Sequence, residues 1–394
     1  MCLFYIIGLS KEGEKMKQLA AGIMSGTSLD GIDIIIASID KHGATFDVEV
    51  MKTYHEPYKQ TLYHTLKRVL EKQTIDLETL TLLNREIADA YSKAVETACF
   101  QLAIKPSDLS FVASHGQTLY HISQKDKFKQ AASLQLGDGS FMAQRLKTTV
   151  ISNFRNADIA AGGEGAPLVP YTDYALFQSK DKTRAMLNIG GIANMTVLPK
   201  NAPTDQCFAF DTGPGNMMID YAMKSLFNKQ YDAGGKIAKE GTLNKALLDE
   251  VMRHEYFKAR VPKSTGREMF GDHFTKTLLE KYQTLNAHDI IHTLTHITAL
   301  SIAQAVKENS KDPIEELVVS GGGVHNAFLL DTIREYLQDV RVYPLEALGY
   351  DSDFKEALAF LILGFETLHH RPSNIKTATG AKNDVILGQI AFYR

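Results

Sequence analysis

Residues 18–39 read QLAAGIMSGTSLDGIDIIIASI: two apolar runs flank a stretch of glycine, serine, threonine and aspartate. The isoleucine-rich second run and the turn chemistry between the two predict strand, turn, strand. A third run, FDVEVMKTY from Phe46 to Tyr54, completes an antiparallel meander. The second half opens the same way, with AMLNI ending at Ile189, a glycine pair, IANMTVL and then CFAF ending at Phe210. This is the trace of an internal repeat. Between and after the meanders, helical spacing predicts helices from Pro57 to Lys72, Leu77 to Ala103, Leu243 to His254, Asp272 to Tyr282, His288 to Glu308 and Phe354 to Glu366. Another helix is expected to follow Asn216 as its N-cap and another to begin near His325; FVAS, ELVVS and VRVYP read as strands. The fold class expected is α/β, a duplicated β-meander with crossover helices forming two lobes around a central cleft. The glycine- and proline-rich loop from Ala160 to Pro170 marks the boundary, dividing the chain into an extension (1–16), an N-terminal lobe (17–170) and a C-terminal lobe with helical insertions (171–394).

Bulk properties narrow the partners. Of 394 residues, 44% are apolar and 23% charged, and 43 basic side chains against 46 acidic ones leave a net charge of −3. That balance offers no electrostatic footprint for nucleic acid or an anionic membrane, so small molecules are the expected ligands. Three scattered cysteines without a C-x-x-C spacing argue for a reducing compartment, and the protein is expected to be cytoplasmic. The longest apolar runs are far short of the ~20 residues that span a bilayer. The apolar residues 2–9 lack a basic start and a cleavage site, so they do not read as a signal peptide.

Chemistry is expected where apolar strands run into glycine turns. Three such turns occur: Gly26, Thr27, Ser28, Leu29, Asp30 and Gly31, continuing into Ile32 and Asp33; Asp211 to Gly215, with Gly213 and Gly215; and Gly321, Gly322 and Gly323. Glycine lets the backbone approach a ligand, and exposed N–H groups beside a hydroxyl form a phosphate cradle. Two of the turns are taken to occupy matching positions of the repeat. No Walker, dinucleotide-binding or protein-kinase signature is present. His288, His292 and His296 share one helix face at a spacing suited to zinc, but no glutamate follows the first histidine of either pair and the flanking Ile and Leu suit packing.

GTSLDG, FDTGPGN and VVSGGG resemble the two phosphate segments and the adenosine segment of the sugar kinase, heat-shock chaperone and actin superfamily. More specifically, SHGQT (114–118), NFRNADIAAGGEGAPLVP (153–170), LNIGGIAN (187–194), FDTGPGN (210–216) and GYDSDFKEALAF (349–360) are similar to the anhydro-N-acetylmuramic acid kinase family, in order from about residue 19 to 392. The resemblance implies an actin-like ATPase fold of two ribonuclease-H-like lobes. It also implies ATP with Mg2+ as cofactors and a 1,6-anhydro sugar as substrate, with levoglucosan as the alternative sugar. Asp211 matches the family's catalytic aspartate, and Arg155 falls in the sugar pocket. Glu356 and His115 are further sugar candidates, while Asp30 or Asp33 is expected near Mg2+. The rival from a different class is a chaperone- or actin-like binding protein gated by nucleotide; no appended peptide-binding domain supports it. A homodimer is left open.

Overall fold

The computed structural model describes residues 17–43, 45–122 and 130–394, so the expected extension 1–16 lies outside the described residues. The first half lays down β1 (Gln18–Met24), β2 (Ile32–His42), β3 (Thr45–Glu56), β4 (Phe111–Ser114), the hairpin strands β5 (Gln117–Ile122) and β6 (Ala132–Leu136), and β7 (Thr149–Ser152). The second adds β8 (Arg184–Ile189), β9 (Ile192–Leu198), β10 (Phe208–Pro214), β11 (Glu316–Ser320), β12 (Arg341–Pro344) and β13 (Gln389–Ala391). One sheet has the order β13-β7-β4-β1-β2-β3 and the other β10-β9-β8-β11-β12. Apart from β13, the two orders are the same: an antiparallel meander with two parallel strands beside its first member. Two ribonuclease-H-like lobes therefore make up an actin-like ATPase fold, as the repeat predicts.

Strand alternation explains why helices cover both faces of the first sheet. Successive side chains of a strand point to opposite sides. Ile34 and Ile36 pack with Ile87, Tyr91 and Val95 of the helix Leu77–Gln101, while Ile35 and Ala37 pack with Leu358, Leu361 and Ile362 of the helix Lys355–Leu368. That second helix lies hard on β1: a Cβ on Gly22 would stand 2.1 Å from the Ala357 carbonyl oxygen. The closing part of the chain thus completes the first sheet, since β13 also pairs with β7. Sheet membership consequently departs from the expected division into 17–170 and 171–394. Leu187, Ile189, Leu317 and Val319 of the second sheet pack against Ile302 and Val306 of the long helix Ala287–Glu308.

Several boundaries differ from expectation for local reasons. Lys59 is extended, so the first helix begins at Gln60 and Pro57 stays in the link from β3. The helix expected from Leu243 begins at Lys245 behind the Asn244 cap, whose side chain accepts from Leu247 N–H at 3.0 Å. The turn expected after Phe210 is instead more strand: β10 runs on to Pro214 with a register shift between Asp211 and Gly213. Asn216 precedes the helix Met217–Phe227 but does not cap it, because its side chain donates to the Ile189 carbonyl at 3.4 Å. Among the described residues, no helix is long and apolar enough to cross a membrane.

Candidate active site

The β1–β2 turn is a closed loop with an exposed tip. Leu29 adopts a left-handed backbone (φ 59°), its N–H reaches the Gly26 carbonyl at 3.4 Å, and Asp30 Oδ1 accepts from the Gly31 N–H at 3.0 Å. Thr27, Ser28 and Asp30 face outward, whereas Leu29 and Ile32 belong to the core, so only their backbone is offered to a ligand. Asp33, at the start of β2, is bonded to His55 Nδ1 at 2.7 Å. Burial raises its pKa, His55 works the other way, and the carboxylates of Asp30 and Asp353 add to the rise. Asp30 and Asp33 thus form a pair of mutually repelling acids beside the exposed turn.

The sugar candidates gather at the ends of the neighbouring parallel strands. His115 follows β4, is fully buried, and its N–H bonds the Ile23 carbonyl of β1 at 3.0 Å. Its Nε2 takes Nη2–H and Nε–H of Arg155 at 2.8 and 3.2 Å. An arginine only donates, so Nε2 is unprotonated and the ring is neutral. Burial, followed by the Arg155 charge, pushes the His115 pKa well below the usual histidine range. Arg155 also donates Nη1–H to the Gly165 carbonyl at 2.7 Å. A guanidinium has five N–H donors, so two remain for a ligand. Burial lowers the Arg155 pKa to about 10, while Glu356 acts to raise it. Glu356 stands in the first turn of its helix; desolvation by the surrounding protein raises its pKa, with Asp33 and Asp30 adding to the rise and Arg155 and Lys355 opposing it. His115, Arg155, Glu356, Asp30 and Asp33 are therefore one electrostatic group. Of this group His115 also lines a polar cavity of about 270 Å³, together with Gln135, Ser152, Asn153 and Asn156 among others. Asp158, three residues beyond Arg155, is a buried anchor, accepting from Gly165 N–H, Asn374 and Thr379 and so fixing the loop that holds Arg155.

Asp211 stands on the other sheet. Its N–H bonds the Lys263 carbonyl at 3.0 Å, Thr265 N–H donates to its Oδ2 at 2.8 Å, and the Tyr256 hydroxyl donates to its carbonyl at 2.6 Å. The segment 263–265 thus clasps Asp211 edge to edge and aims its carboxylate. Nothing in the sequence analysis singled out Thr265 or Tyr256. They lie 54 and 45 residues away, and only tertiary structure brings them to Asp211.

The glycines separate by what a side chain would meet. A Cβ on Gly215 would be 2.3 Å from the Gly190 carbonyl oxygen, and its N–H already bonds Gly191; one on Gly321 would be 2.3 Å from Asn188 Oδ1, and one on Gly323 would strike Ile189. On Gly213, Phe257 stands at 3.0 Å. At these four the protein itself packs against the missing side chain, which by itself requires glycine there. Gly26, Gly190, Gly191 and Gly322 are different: the nearest atoms lie at 3.2, 3.6 and 3.7 Å for the first three, and none lies within 4 Å for the last. The repeat makes the Gly190–Gly191 turn of β8–β9 the equivalent of the Gly26–Gly31 turn of β1–β2, so none of the three predicted turns is the repeat partner of another. His292 and His296, by contrast, stack on each other at 4.6 Å and bond the Ala238 carbonyl and the Tyr336 hydroxyl. Among the described residues no group of three metal-binding side chains is present.

Two duplicated lobes with glycine hairpins at equivalent places define the class of two-lobed, actin-like α/β proteins. The model of the anhydro-N-acetylmuramic acid kinase family matches residues 18–393, and the chain belongs to that family. It is 47% identical over 374 residues to the anhydro-N-acetylmuramic acid kinase of Francisella tularensis subsp. novicida (strain U112), covering 94% of this chain and 98% of that protein. The corresponding enzyme of Clostridioides difficile (strain 630) is 42% identical, covering 94% and 97%. Among solved structures, a ROK family glucokinase from Streptomyces griseus in complex with glucose and AMPPNP aligns with a TM-score of 0.40 at 12% identity, over 88% of this chain and 98% of that one.

Proposed function

We propose that the chain is an ATP-dependent kinase that opens the 1,6-anhydro bridge of 1,6-anhydro-N-acetylmuramic acid with water and phosphorylates O6, giving N-acetylmuramic acid 6-phosphate and ADP in cell wall recycling. The observation that carries this reading is the clasped carboxylate of Asp211 within a chain that matches the family from end to end of its described core. In the reaction, Asp211 takes a proton from water, the water oxygen bonds to C1, the C1–O6 bond breaks, and O6 accepts the γ-phosphoryl group; the proton then passes from Asp211 to solvent. Phosphorylation of the departing O6 replaces the proton that a glycosidase would deliver to it. The two free donors of Arg155 and the raised-pKa carboxyl of Glu356 suit the carboxylate and hydroxyls of the sugar, and neutral His115 holds Arg155 in aim.

The turns at Gly26 and Gly190–Gly191 suit phosphates and the turn at Gly322 suits the nucleoside: a Cβ at Gly190, Gly191 or Gly322 would meet nothing closer than 3.6 Å, and at Gly26 its nearest neighbour would be the exposed Ser28 hydroxyl, at 3.2 Å. Asp30 and Asp33 would hold Mg2+, directly or through water, and the ion would neutralise phosphate charge. Consumption of ATP and the unpaired buried thiols Cys99 and Cys207 favour the cytoplasm. The family favours the muramic sugar over levoglucosan, which lacks the acetamido and lactyl groups. Mass spectrometry of the product made in heavy-oxygen water tests the whole reading. The label is expected on the anomeric hydroxyl, the phosphate is expected to be unlabelled, and levoglucosan is expected to react poorly. Label in the phosphate, or ring opening without ATP, would remove the mechanism.

A further inference from the structure

The side chain of Gln117 is fully buried, two residues beyond His115, and it does not touch the polar cavity. Its Nε2 donates to the Gly26 carbonyl at 3.1 Å and to the Thr118 carbonyl at 3.4 Å, and its Oε1 accepts from the Tyr58 hydroxyl at 2.8 Å. Behind it, the hydroxyls of Ser25 and Tyr91 are bonded to each other, and both lie within reach of Tyr58. Every member is an uncharged amide or hydroxyl, and all are buried. The chain of bonds ends on the carbonyl of a residue whose own turn is exposed.

A trans peptide points its C=O and N–H in opposite directions. Drawing the Gly26 carbonyl inward onto Gln117 therefore turns the next amide, the N–H of Thr27, outward from the protein. We infer that Gln117 is a positioning residue: it sets the orientation of the 26–27 peptide so that the β1–β2 turn presents an N–H to a phosphate, and it ties that turn to the strand end carrying His115. Gly116, between the two, has φ +80°, and a Cβ there would press to 2.9 Å on the Leu136 carbonyl oxygen. The spacing from His115 to Gln117 is therefore backed rigidly by β6. This inference rests on the reading that the β1–β2 turn accepts phosphate.

Calorimetry on the full chain separates the outcomes, with ADP, adenosine and the anhydro sugar as probes. Gln117→Leu keeps the volume and removes both donors. It is expected to weaken ADP about tenfold while adenosine and the sugar stay within about twofold. Tyr58→Phe removes one hydroxyl and is expected to shift ADP in the same direction by a smaller factor, which keeps the test alive if Gln117→Leu does not fold. Equal loss of ADP, adenosine and sugar would make Gln117 a general scaffold residue and overturn the inference. So would unchanged ADP affinity in both variants while Gly26→Val weakens ADP. If Gly26→Val itself leaves ADP binding intact, the phosphate reading of the turn is what has failed.

Discussion

A carboxylate serves as a base only if it is held where water can reach it, and Asp211 is held through its own backbone on both sides and through Oδ2 by the Thr265 N–H. Asp211→Asn keeps an acceptor for that N–H but cannot take a proton. Turnover is expected to fall by ~10²-fold or more with ATP and sugar binding retained, measured by single-turnover kinetics and calorimetry. Near-normal turnover would remove Asp211 from the mechanism. A histidine pinned under a guanidinium predicts a different pattern at His115. His115→Phe is expected to spare nucleotide affinity and raise the KM for sugar, because Arg155 loses its alignment rather than its charge. At this scale the sequence singles out Asp211 and Arg155 as candidates through the motifs that carry them, FDTGPGN and NFRN. It is silent about distant partners: Thr265 is an ordinary threonine until the fold lays it on Asp211.

Strands and turns were easier to foresee, because a short apolar run beside glycine-rich turn chemistry is a local signal, and β1, β2 and β8 to β11 all carry one. What a glycine is for is not local. Gly215 and Gly322 look alike in sequence, yet one would collide with a carbonyl and the other faces open space. Gly215→Ala is therefore expected to cost roughly 1–3 kcal/mol of stability by overpacking. Gly322→Ala is expected to unfold like the parent and to raise the KM for ATP; thermal unfolding paired with nucleotide titration reads both. The first residue of β11 carries another element-level consequence. Burial works to raise the Glu316 pKa, but hydrogen bonds from Lys182, Arg184 and Tyr343 outweigh it and bring the group down to about 2. A depressed acid stabilises the fold above its unfolded pKa, and the contribution drains away as pH falls through the acid range toward about 2. Denaturant titrations should show Glu316→Gln destabilised at pH 7, with the gap to the parent shrinking at pH 3. A gap independent of pH would mean that the ion cluster is not its source.

For the molecule as a whole, the duplication of the meander sets two glycine hairpins at equivalent places in two lobes, and the contact of His325 with Asp353 at 3.1 Å links the turn after β11 to the short turn that leads into the helix Lys355–Leu368 on the first sheet. Nucleotide and sugar together are expected to draw the lobes inward. Small-angle scattering with a non-hydrolysable nucleotide and sugar should report a smaller radius of gyration than either ligand alone, and an unchanged radius would argue against closure. The repeat was visible in the sequence because both copies keep their strand pattern. The crossing of the chain's last part back to the first sheet was not, since pairing of β13 with β7 leaves no local trace. That crossing bears on how the protein is made. On the ribosome, β1, β2 and β4 emerge long before the helix Lys355–Leu368 that shields Ala20, Ile35 and Phe111. One greasy face of the nascent lobe must wait uncovered through the synthesis of the entire second lobe, so this chain should lean on holding chaperones late in translation, and stalling before Lys355 should yield a species prone to clumping.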